Sequence, residues 1–276
     1  MSTRRFVAAA VQLCAGANKS ENLDKAEAFA VEAARHEARL VVLPEVFLWR
    51  GQRTDERAAA EAIPGPSTRR LGDLARQLHI HLIAGSLFED SGGPKVFNTS
   101  VLFDPHGDIV ARYRKLHLFD VDIAGRVSVR ESDTRAGGDA SARDAVVVAP
   151  TELGVIGMSI CYDLRFPELY RRLTFAGAEI VAVPSAFTFP TGAAHWEILL
   201  RARAIENQVY LIAPDQIGQS PSGVVDFGNS MIVDPWGTPL ARAADRETLV
   251  LAEIDRDYQE RVRRELPCLT HVKLAQ

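Results

Sequence analysis

Cys161 has the sequence surroundings of a catalytic nucleophile. It follows a short apolar run, residues 155–160, that predicts a buried strand. Pro167 fixes φ for the first turn of a predicted helix, so the cysteine lies on a sharp turn between strand and helix. In open α/β sheets active sites lie at the carboxyl ends of the strands, and a turn of this kind exposes the sulfur as a nucleophile elbow does. Because an isolated cysteine is more often an inert core residue, its role depends on partners.

Glu45 is one such partner. It comes directly after an apolar strand, residues 40–43, and Pro44, with Phe47 and Trp49 beyond it. A carboxylate in apolar company suits proton transfer near neutral pH. A solvated loop glutamate fits the local sequence equally well.

Lys115 is the second partner, at the end of a strand predicted over residues 108–115. By the period of two, it shares one face with Ile109, Ala111 and Tyr113, and this apolar face should pack on the core. A buried lysine is costly unless it is paired or functional. We therefore favour a functional lysine over a structural ion pair.

Three further residues have weaker signals. Arg165 lies close after the cysteine, where it could hold a substrate carboxylate or equally be a surface arginine of the helix. Glu131 lies in an irregular stretch and by itself indicates only a solvated loop charge. His195 is more typical of a packed or capping histidine than of a ligand.

The composition limits the possible classes of protein. The chain has 276 residues, 47% hydrophobic and 25% charged, with a formal net charge of −4, which is typical of a globular protein. Basic residues are not clustered, so neither nucleic acid nor a membrane is an expected partner. Three cysteines without a CxxC pair, and seven scattered histidines, indicate neither a disulfide framework nor a metal site.

The N-terminal segment faintly imitates a signal peptide, because Arg4 and Arg5 precede an apolar run. Gln12 interrupts that run, and no convincing cleavage site follows. Residues 6–13 fit a first buried strand better, which predicts a protein of the reducing cytoplasm.

The remaining pattern predicts an α/β protein. The first half reads as strands at 6–13, 40–43 and 80–88, helices at 20–38 and 68–78 with Ser67 as a cap, and a hairpin of 96–103 with 108–115. The second half reads as strands at 154–160, 180–183 and 208–213, helices at 167–177 and 194–206, and a hairpin of 230–233 with 239–242. Residues 116–145 lack clear periodicity, 255–266 read as a helix and 267–276 as a tail.

The two halves also resemble each other in sequence. Residues 38–44 parallel 178–184, and the Asp-Pro-x-Gly turn at 104–107 parallels that at 234–237. We interpret this as a duplicated unit, although βα units and such turns resemble each other in general. Two equivalent halves that bury their sheets face to face would form a four-layer α-β-β-α sandwich, a single domain over residues 1–276.

Four segments together form a specific signature. They are Leu43-Pro44-Glu45, Arg114-Lys115-Leu116-His117-Leu118-Phe119-Asp120, Ile160-Cys161-Tyr162-Asp163-Leu164-Arg165-Phe166-Pro167-Glu168, and His195-Trp196-Glu197 with Arg201-Ala202-Arg203-Ala204-Ile205-Glu206. By these segments the chain resembles the nitrilase superfamily of carbon–nitrogen hydrolases, specifically its Nit branch. The resemblance implies the α-β-β-α sandwich and a dimer formed across helices.

The resemblance also implies a site. It assigns a Glu-Lys-Cys triad to Glu45, Lys115 and Cys161, with Glu131 matching the second glutamate of the family. The carboxylate would take the thiol proton, the thiolate would attack an amide carbonyl, and Lys115 with the Tyr162 backbone N–H would hold the oxyanion. Water, positioned with help from Glu131, would then hydrolyse the thioester. No metal or organic cofactor is required.

Within the branch, the likeness is greatest to amidases of deaminated glutathione, with ω-amidases acting on α-ketoglutaramate close behind. That likeness implies that Arg165, Phe187 and Thr191 line a pocket for an α-keto-acid amide. Asn229 stands where relatives commonly carry histidine, which leaves the substrate's identity open. A nitrilase, a carbamoylase and a binding protein that has lost catalysis are the alternatives.

Overall fold

A computed structural model describes residues 4–125, 127–142 and 145–274. In its first half, strands and helices alternate before a pair of antiparallel strands. The elements are β1 (Arg5–Gln12), α1 (Lys19–Arg35), β2 (Ala38–Val42), α2 (Glu56–Ala59), α3 (Pro66–Leu78), β3 (His81–Ile83), β4 (Leu87–Asp90), β5 (Val96–Phe103) and β6 (Ile109–Arg114).

The second half repeats this order after a connecting segment. The connecting strands are β7 (Asp120–Ile123), β8 (Val127–Arg130), β9 (Arg135–Ala136) and β10 (Val148–Thr151). The remaining elements are β11 (Gly154–Met158), α4 (Pro167–Phe175), β12 (Ile180–Ala182), α5 (Phe189–Asn207), β13 (Tyr210–Ala213), β14 (Ile217–Gln219), β15 (Val225–Phe227), β16 (Met231–Val233), β17 (Pro239–Arg242), β18 (Thr248–Asp255) and α6 (Arg256–Glu265).

Two mixed sheets form the centre of the fold. The first has the strand order β18-β1-β2-β3-β5-β4, with β6 and β9 also paired to β5, and the second has the order β10-β11-β12-β13-β16-β17. In each sheet three neighbouring strands are parallel, β1-β2-β3 and β11-β12-β13, and an antiparallel hairpin follows them. Two-stranded sheets, β7-β8 and β14-β15, lie outside the main pair.

The alternation of side chains along β1 shows how the layers arise. Ala8 and Ala10 belong to the apolar cluster that also contains Met158 and Ile180 of the second sheet. The intervening Ala9 and Val11 pack in the cluster that contains the buried face of α1. Successive residues of a strand point to opposite faces of a sheet. The sheets therefore pack on each other with helices outside, and the predicted α-β-β-α sandwich is confirmed.

The duplication is visible in the hairpin turns. The Asp104 carboxylate accepts hydrogen bonds from the backbone N–H groups of His106 and Asp108, at 2.9 and 3.0 Å. The Asp234 carboxylate accepts from Trp236 and Thr238, both at 2.8 Å. The same side chain therefore closes the same turn in both halves.

Several predicted boundaries were wrong. The strand predicted over 80–88 is two strands, β3 and β4, because Gly85 turns the chain with a φ of +36°. The helix predicted from Thr68 begins at Pro66 with Gly65 as its N-cap. Ser67 is not the cap, because its hydroxyl donates to Glu61 Oε1 at 2.8 Å.

Other boundaries moved for similar local reasons. The first helix ends at Arg35 rather than at residue 38, because Ala38 already pairs in β2. Helix α5 begins at Phe189, earlier than the predicted residue 194. The stretch predicted to be irregular contains the β7-β8 hairpin. In the predicted tail, Cys268–His271 form a 3₁₀ turn, and residues 275–276 lie outside the described residues.

Strand β18 has no counterpart in the sequence prediction. It pairs antiparallel with β1 along its whole length, from Arg5 opposite Asp255 to Gln12 opposite Thr248. The last strand of the chain thus completes the sheet that the first strand begins. Among the described helices, none has the length and apolar character needed to cross a membrane.

Candidate active site

Three strand ends converge on one cavity. Glu45 follows β2, Lys115 follows β6 and Cys161 follows β11, and all three line a cavity of about 90 Å³. Their exposed fractions are 2%, 1% and 7%. The burial of Glu45 contradicts the solvated loop alternative. Lys115 faces inward as predicted.

Lys115 lies between two carboxylates. Its Nζ donates to Glu45 Oε1 at 2.8 Å and to Glu131 Oε2 at 2.9 Å. Burial alone would lower the pKa of Lys115, but the charges of Glu131 and Glu45 outweigh burial and raise that pKa above its ordinary value. The lysine is therefore a fixed cation inside the protein.

Glu131 is part of this cluster rather than a loop charge. It begins a 3₁₀ turn directly after β8 and is buried. Its Oε2 also accepts the Phe119 backbone N–H at 2.8 Å, and its Oε1 accepts from the Arg135 guanidinium. Burial would raise the pKa of Glu131, but Lys115 and Arg135 lower it to about 2. Glu131 is therefore ionised at neutral pH.

Arg135 extends the cluster to a third carboxylate. It donates to Glu56 Oε1 at 2.7 Å and to Glu56 Oε2 at 3.1 Å. The side chains of Arg135 and Glu56 are 12% and 4% exposed, so this pair is buried beside the cavity. Neither residue was identified from the sequence, because both stand in segments without periodicity.

The turn that carries Cys161 has the predicted form. Cys161 has a φ of +47° and begins the 3₁₀ turn Cys161–Arg165, after which Pro167 starts α4. Its own N–H donates to Pro184 O at 2.9 Å. The Tyr162 N–H has no acceptor among the described residues, so it is free to meet a ligand. Left-handed backbone at a non-glycine residue is strained and is typical of functional sites.

The thiol of Cys161 is protonated at rest. Burial raises its pKa well above the ordinary value, and the nearby Glu45 carboxylate raises it further. The Lys115 charge opposes these effects without reversing them. A thiolate at this position would therefore need a base that removes the proton during attack.

Asp163 joins the turn that carries Cys161 to strand β6 and the segment after it, which contain Tyr113 and His117. Its Oδ2 accepts from the Ile160 N–H at 2.9 Å and from the Tyr113 hydroxyl at 2.7 Å. Its Oδ1 contacts the N–H and the Nδ1 of His117, at 3.1 and 2.7 Å. The sequence prediction missed this role, although Tyr113 and His117 flank Lys115 symmetrically.

The residues predicted to bind substrate line the same cavity. They are Tyr162, Arg165, Phe187 and Thr191. The Arg165 guanidinium carbon lies 5.3 Å from the ring centre of Phe187 and 5.7 Å from that of Tyr162. Its Nη1 is 3.2 Å from Nδ1 of His195, which is exposed and neither packed nor a cap.

The arginines of the cavity differ in their partners. Arg50 is paired with Asp226, and Arg135 with Glu56 and Glu131. Arg165 makes no ion pair with a carboxylate in the described part of the chain, and neither does Arg53, which donates to the Arg130 carbonyl. Arg165 therefore presents an uncompensated positive charge to the cavity.

Asn229 does not line the cavity. Its φ is +59°, a region that asparagine tolerates. Its Oδ1 accepts from Arg242 Nε and its Nδ2 donates to Phe227 O, both at 2.9 Å. The side chain thus holds neighbouring backbone and the β17 arginine rather than a ligand. No group of three or more His, Cys, Asp or Glu within the described ranges is arranged to hold a metal ion.

The fold and this site define a carbon–nitrogen hydrolase of the nitrilase type. The family model for carbon–nitrogen hydrolases matches residues 7–264, and the chain belongs to this family. The predicted resemblance and the predicted enzyme class are thereby confirmed.

Several known proteins are similar to the chain. Omega-amidase NIT2 of Xenopus tropicalis is 39% identical over 263 residues, covering 95% of this chain and 93% of that protein. Deaminated glutathione amidase of Synechocystis sp. (strain PCC 6803 / GT-S) is 41% identical over 268 residues, covering 96% and 97%. Nit3 of Saccharomyces cerevisiae, a member of branch 10 of the nitrilase superfamily, has a TM-score of 0.86 at 32% identity, with 96% of each chain covered.

Proposed function

We propose that the chain is a cysteine-dependent amidase that cleaves the C–N bond of a small, carboxylate-bearing amide of the α-keto-acid type. The observation that carries this proposal is the buried Lys115 held between Glu45 and Glu131 in the cavity that Cys161 lines. Buried charge is costly, and a cluster of this kind in a cavity is typical of catalysis.

The first half-reaction forms a thioester. Glu45 takes the thiol proton as Cys161 sulfur attacks the amide carbonyl, because the thiol is protonated at rest. Lys115 and the free Tyr162 N–H stabilise the oxyanion, each contributing about 2.7–4 kcal/mol. The C–N bond then breaks, and Glu45 returns the proton to the leaving nitrogen.

The second half-reaction reverses these roles. Water loses a proton to Glu45 and attacks the thioester carbonyl, the C–S bond breaks, and the proton returns to the sulfur. Glu131 remains ionised, orients Lys115 and helps to position the water. The products are a carboxylic acid and ammonia or an amine. All of these steps use groups of the protein and water.

The substrate class rests on Arg165. Its guanidinium lines the cavity without a carboxylate partner in the described residues, and a planar fork suits a bidentate carboxylate. Phe187, over whose ring the guanidinium lies, and Thr191 line the same cavity. The similar proteins named omega-amidase NIT2 and deaminated glutathione amidase support an amide of this kind. Deaminated glutathione is our first candidate, and α-ketoglutaramate is the second.

The proposal is tested by product formation from a panel of amides. The panel contains deaminated glutathione, α-ketoglutaramate, a neutral short amide, a nitrile and an N-carbamoyl amino acid. Turnover of the first two above the neutral amide is expected, together with a thioester trapped by rapid acid quench. A nitrilase would turn over the nitrile, and a carbamoylase would release carbon dioxide. Binding without turnover or thioester would contradict an enzyme.

We also propose that residues 1–276 form a single carbon–nitrogen hydrolase domain that assembles as a homodimer across helices. Ile198 and Ile205 of α5 and Trp236 of the adjoining turn are 69%, 47% and 57% exposed. A second copy of the chain would cover these side chains, and the molar mass in solution, measured by light scattering, tests this.

The three free cysteines and a thiol nucleophile support a reducing, cytoplasmic setting.

A further inference from the structure

Asn98 contacts both charged partners of the proposed nucleophile. It lies on β5 and is 1% exposed. Its Nδ2 donates to Glu45 Oε1 at 2.8 Å, and its backbone carbonyl accepts the Lys115 N–H at 2.9 Å. One residue of the central sheet therefore fixes the side chain of Glu45 and the backbone of Lys115.

The two oxygens of Glu45 are not equivalent. Oε1 accepts from Asn98 Nδ2 and from Lys115 Nζ, both at 2.8 Å. Oε2 receives no hydrogen bond from the described residues. A carboxylate oxygen with two donors, one of them charged, is a poorer base than its unbonded partner.

The orientation of the Asn98 amide follows from its neighbours. The reverse orientation would place Asn98 Oδ1 against Glu45 Oε1, acceptor against acceptor. In the orientation found, Oδ1 is buried without a hydrogen-bond partner. An unpaired buried oxygen destabilises the fold. The amide is therefore explained by the hydrogen bond that its nitrogen donates to Glu45, and not by a contribution to stability.

We propose that Asn98 is a positioning residue that occupies Oε1 of Glu45 and so leaves Oε2 as the oxygen that exchanges the proton with Cys161, the leaving nitrogen and water. The inference rests on the proposed function, in which Glu45 is the base. Asn98 acts through Glu45 and has no direct part in the chemistry.

Other charged or titratable groups also act on Glu45, and a test must leave them unchanged. They are Lys115, Cys161, Asp215, Arg50 and Arg135, with Glu131 acting through Lys115. The substitution of Asn98 changes none of their charges. A change in the pH dependence of the Asn98 variants therefore reports the lost hydrogen bond.

The experiment compares Asn98→Ala and Asn98→Leu with wild type. Leucine fills a similar volume without a donor. Ser100→Ala is the matched control, because Ser100 lies two residues along the same strand, is equally buried and has an unpartnered Oγ. Glu45→Gln is measured beside them. The readouts are kcat, KM, the pH profile of kcat/KM and thermal unfolding.

The Asn98 variants should lose about 10- to 100-fold in kcat with KM changed less than threefold. The acid limb of kcat/KM should move to higher pH, because the lost donor favoured the ionised carboxylate. Ser100→Ala should keep the wild-type profile. A folded Asn98 variant with that profile would overturn the inference, and so would the failure of both variants to fold. Activity in Glu45→Gln would instead overturn the proposed function.

Discussion

The buried carboxylate of Asp163 accepts a 2.7 Å hydrogen bond from the hydroxyl of Tyr113. Tyr113 lies on β6, two residues before Lys115, and Asp163 lies two residues after Cys161. Burial raises the pKa of Tyr113, and the Asp163 charge raises it further, so the hydroxyl remains a donor. This contact fixes the position of strand β6, which precedes Lys115, relative to the turn that carries Cys161.

Asp163→Asn should therefore lower activity, although Asp163 does not line the cavity. An amide has only one acceptor oxygen, so at least one of the donors on Ile160, Tyr113 and His117 loses its acceptor. We expect kcat to fall by about 10- to 100-fold, since small misplacements of reacting groups are costly. The free energy of unfolding, measured by urea denaturation, should fall by about 1–3 kcal/mol. Tyr113→Phe, which removes one donor, should be milder, and an Asp163→Asn enzyme with full kcat would contradict this role.

Cys161→Ala should abolish turnover and thioester formation. Only this cysteine lies on a strained strand-to-helix turn in the cavity. Cys14 and Cys268, both half-buried, provide matched controls, and their alanine variants should retain wild-type kcat. Steady-state rates and mass spectrometry of quenched enzyme measure both effects. Substantial activity in Cys161→Ala would refute the thioester mechanism.

Glu131→Gln should impair turnover while the protein remains folded at neutral pH. The substitution keeps an acceptor for the Phe119 N–H but removes the charge that faces Lys115 and Arg135. Lys115 would then be held by Glu45 alone, and Glu45 would be a weaker base. We expect a fall of about 100-fold in kcat and an altered pH–rate profile. Full activity with an unchanged profile would leave Glu131 with a structural role only.

The charge state of Glu131 also predicts how stability depends on acid. Its pKa is about 2 in the folded protein, below the ordinary value of 4.5. As pH falls, Glu131 is therefore protonated in the unfolded chain before it is protonated in the folded protein. The ionised Glu131 stabilises the folded protein fully above the ordinary pKa, and this stabilisation is lost as pH falls towards about 2. The loss is on the order of 3 kcal/mol. The free energy of unfolding, measured by urea denaturation at pH 7, 5, 4 and 3, should decline less steeply for Glu131→Gln than for wild type. Parallel declines in the two proteins would contradict this assignment.

The sequence alone is enough to predict site residues whose position is determined by the strand directly before them. Cys161 and Lys115 each follow an apolar or alternating run, so local periodicity determines where they point. Glu131 depends on the β7-β8 hairpin, whose short and partly exposed strands have little periodic signal. Asn98 and Asp163 owe their roles to partners 53 and 50 residues away, which no local pattern encodes.

The duplication was predictable for a related reason. Matching turns at Asp104 and Asp234 are local signatures, and each half repeats them. Strand β18 was not predictable in the same way, because it pairs with the first strand of the chain, which lies more than 200 residues earlier in the sequence. Pairings that close a sheet across the whole sequence require the three-dimensional fold.

Arg165 should select substrates that bear a carboxylate. Its guanidinium lies over Phe187 and Tyr162 and contacts His195, but no carboxylate of the described residues neutralises it. A bidentate contact made equally in the ground and transition states is uniform binding, so its loss should raise KM more than it lowers kcat.

The test compares two substitutions on acidic and neutral amides. Charge-assisted hydrogen bonds contribute about 1.5–3 kcal/mol, so Arg165→Ala should lose about 10- to 100-fold in kcat/KM on deaminated glutathione or α-ketoglutaramate. Arg165→Lys keeps the charge but not the planar fork and should lose less. Neutral short amides should be nearly indifferent to either change. If Arg165→Ala lowered kcat/KM for acidic and neutral amides by the same factor, the arginine would be structural, and the α-keto-acid assignment would lose its main support in the cavity.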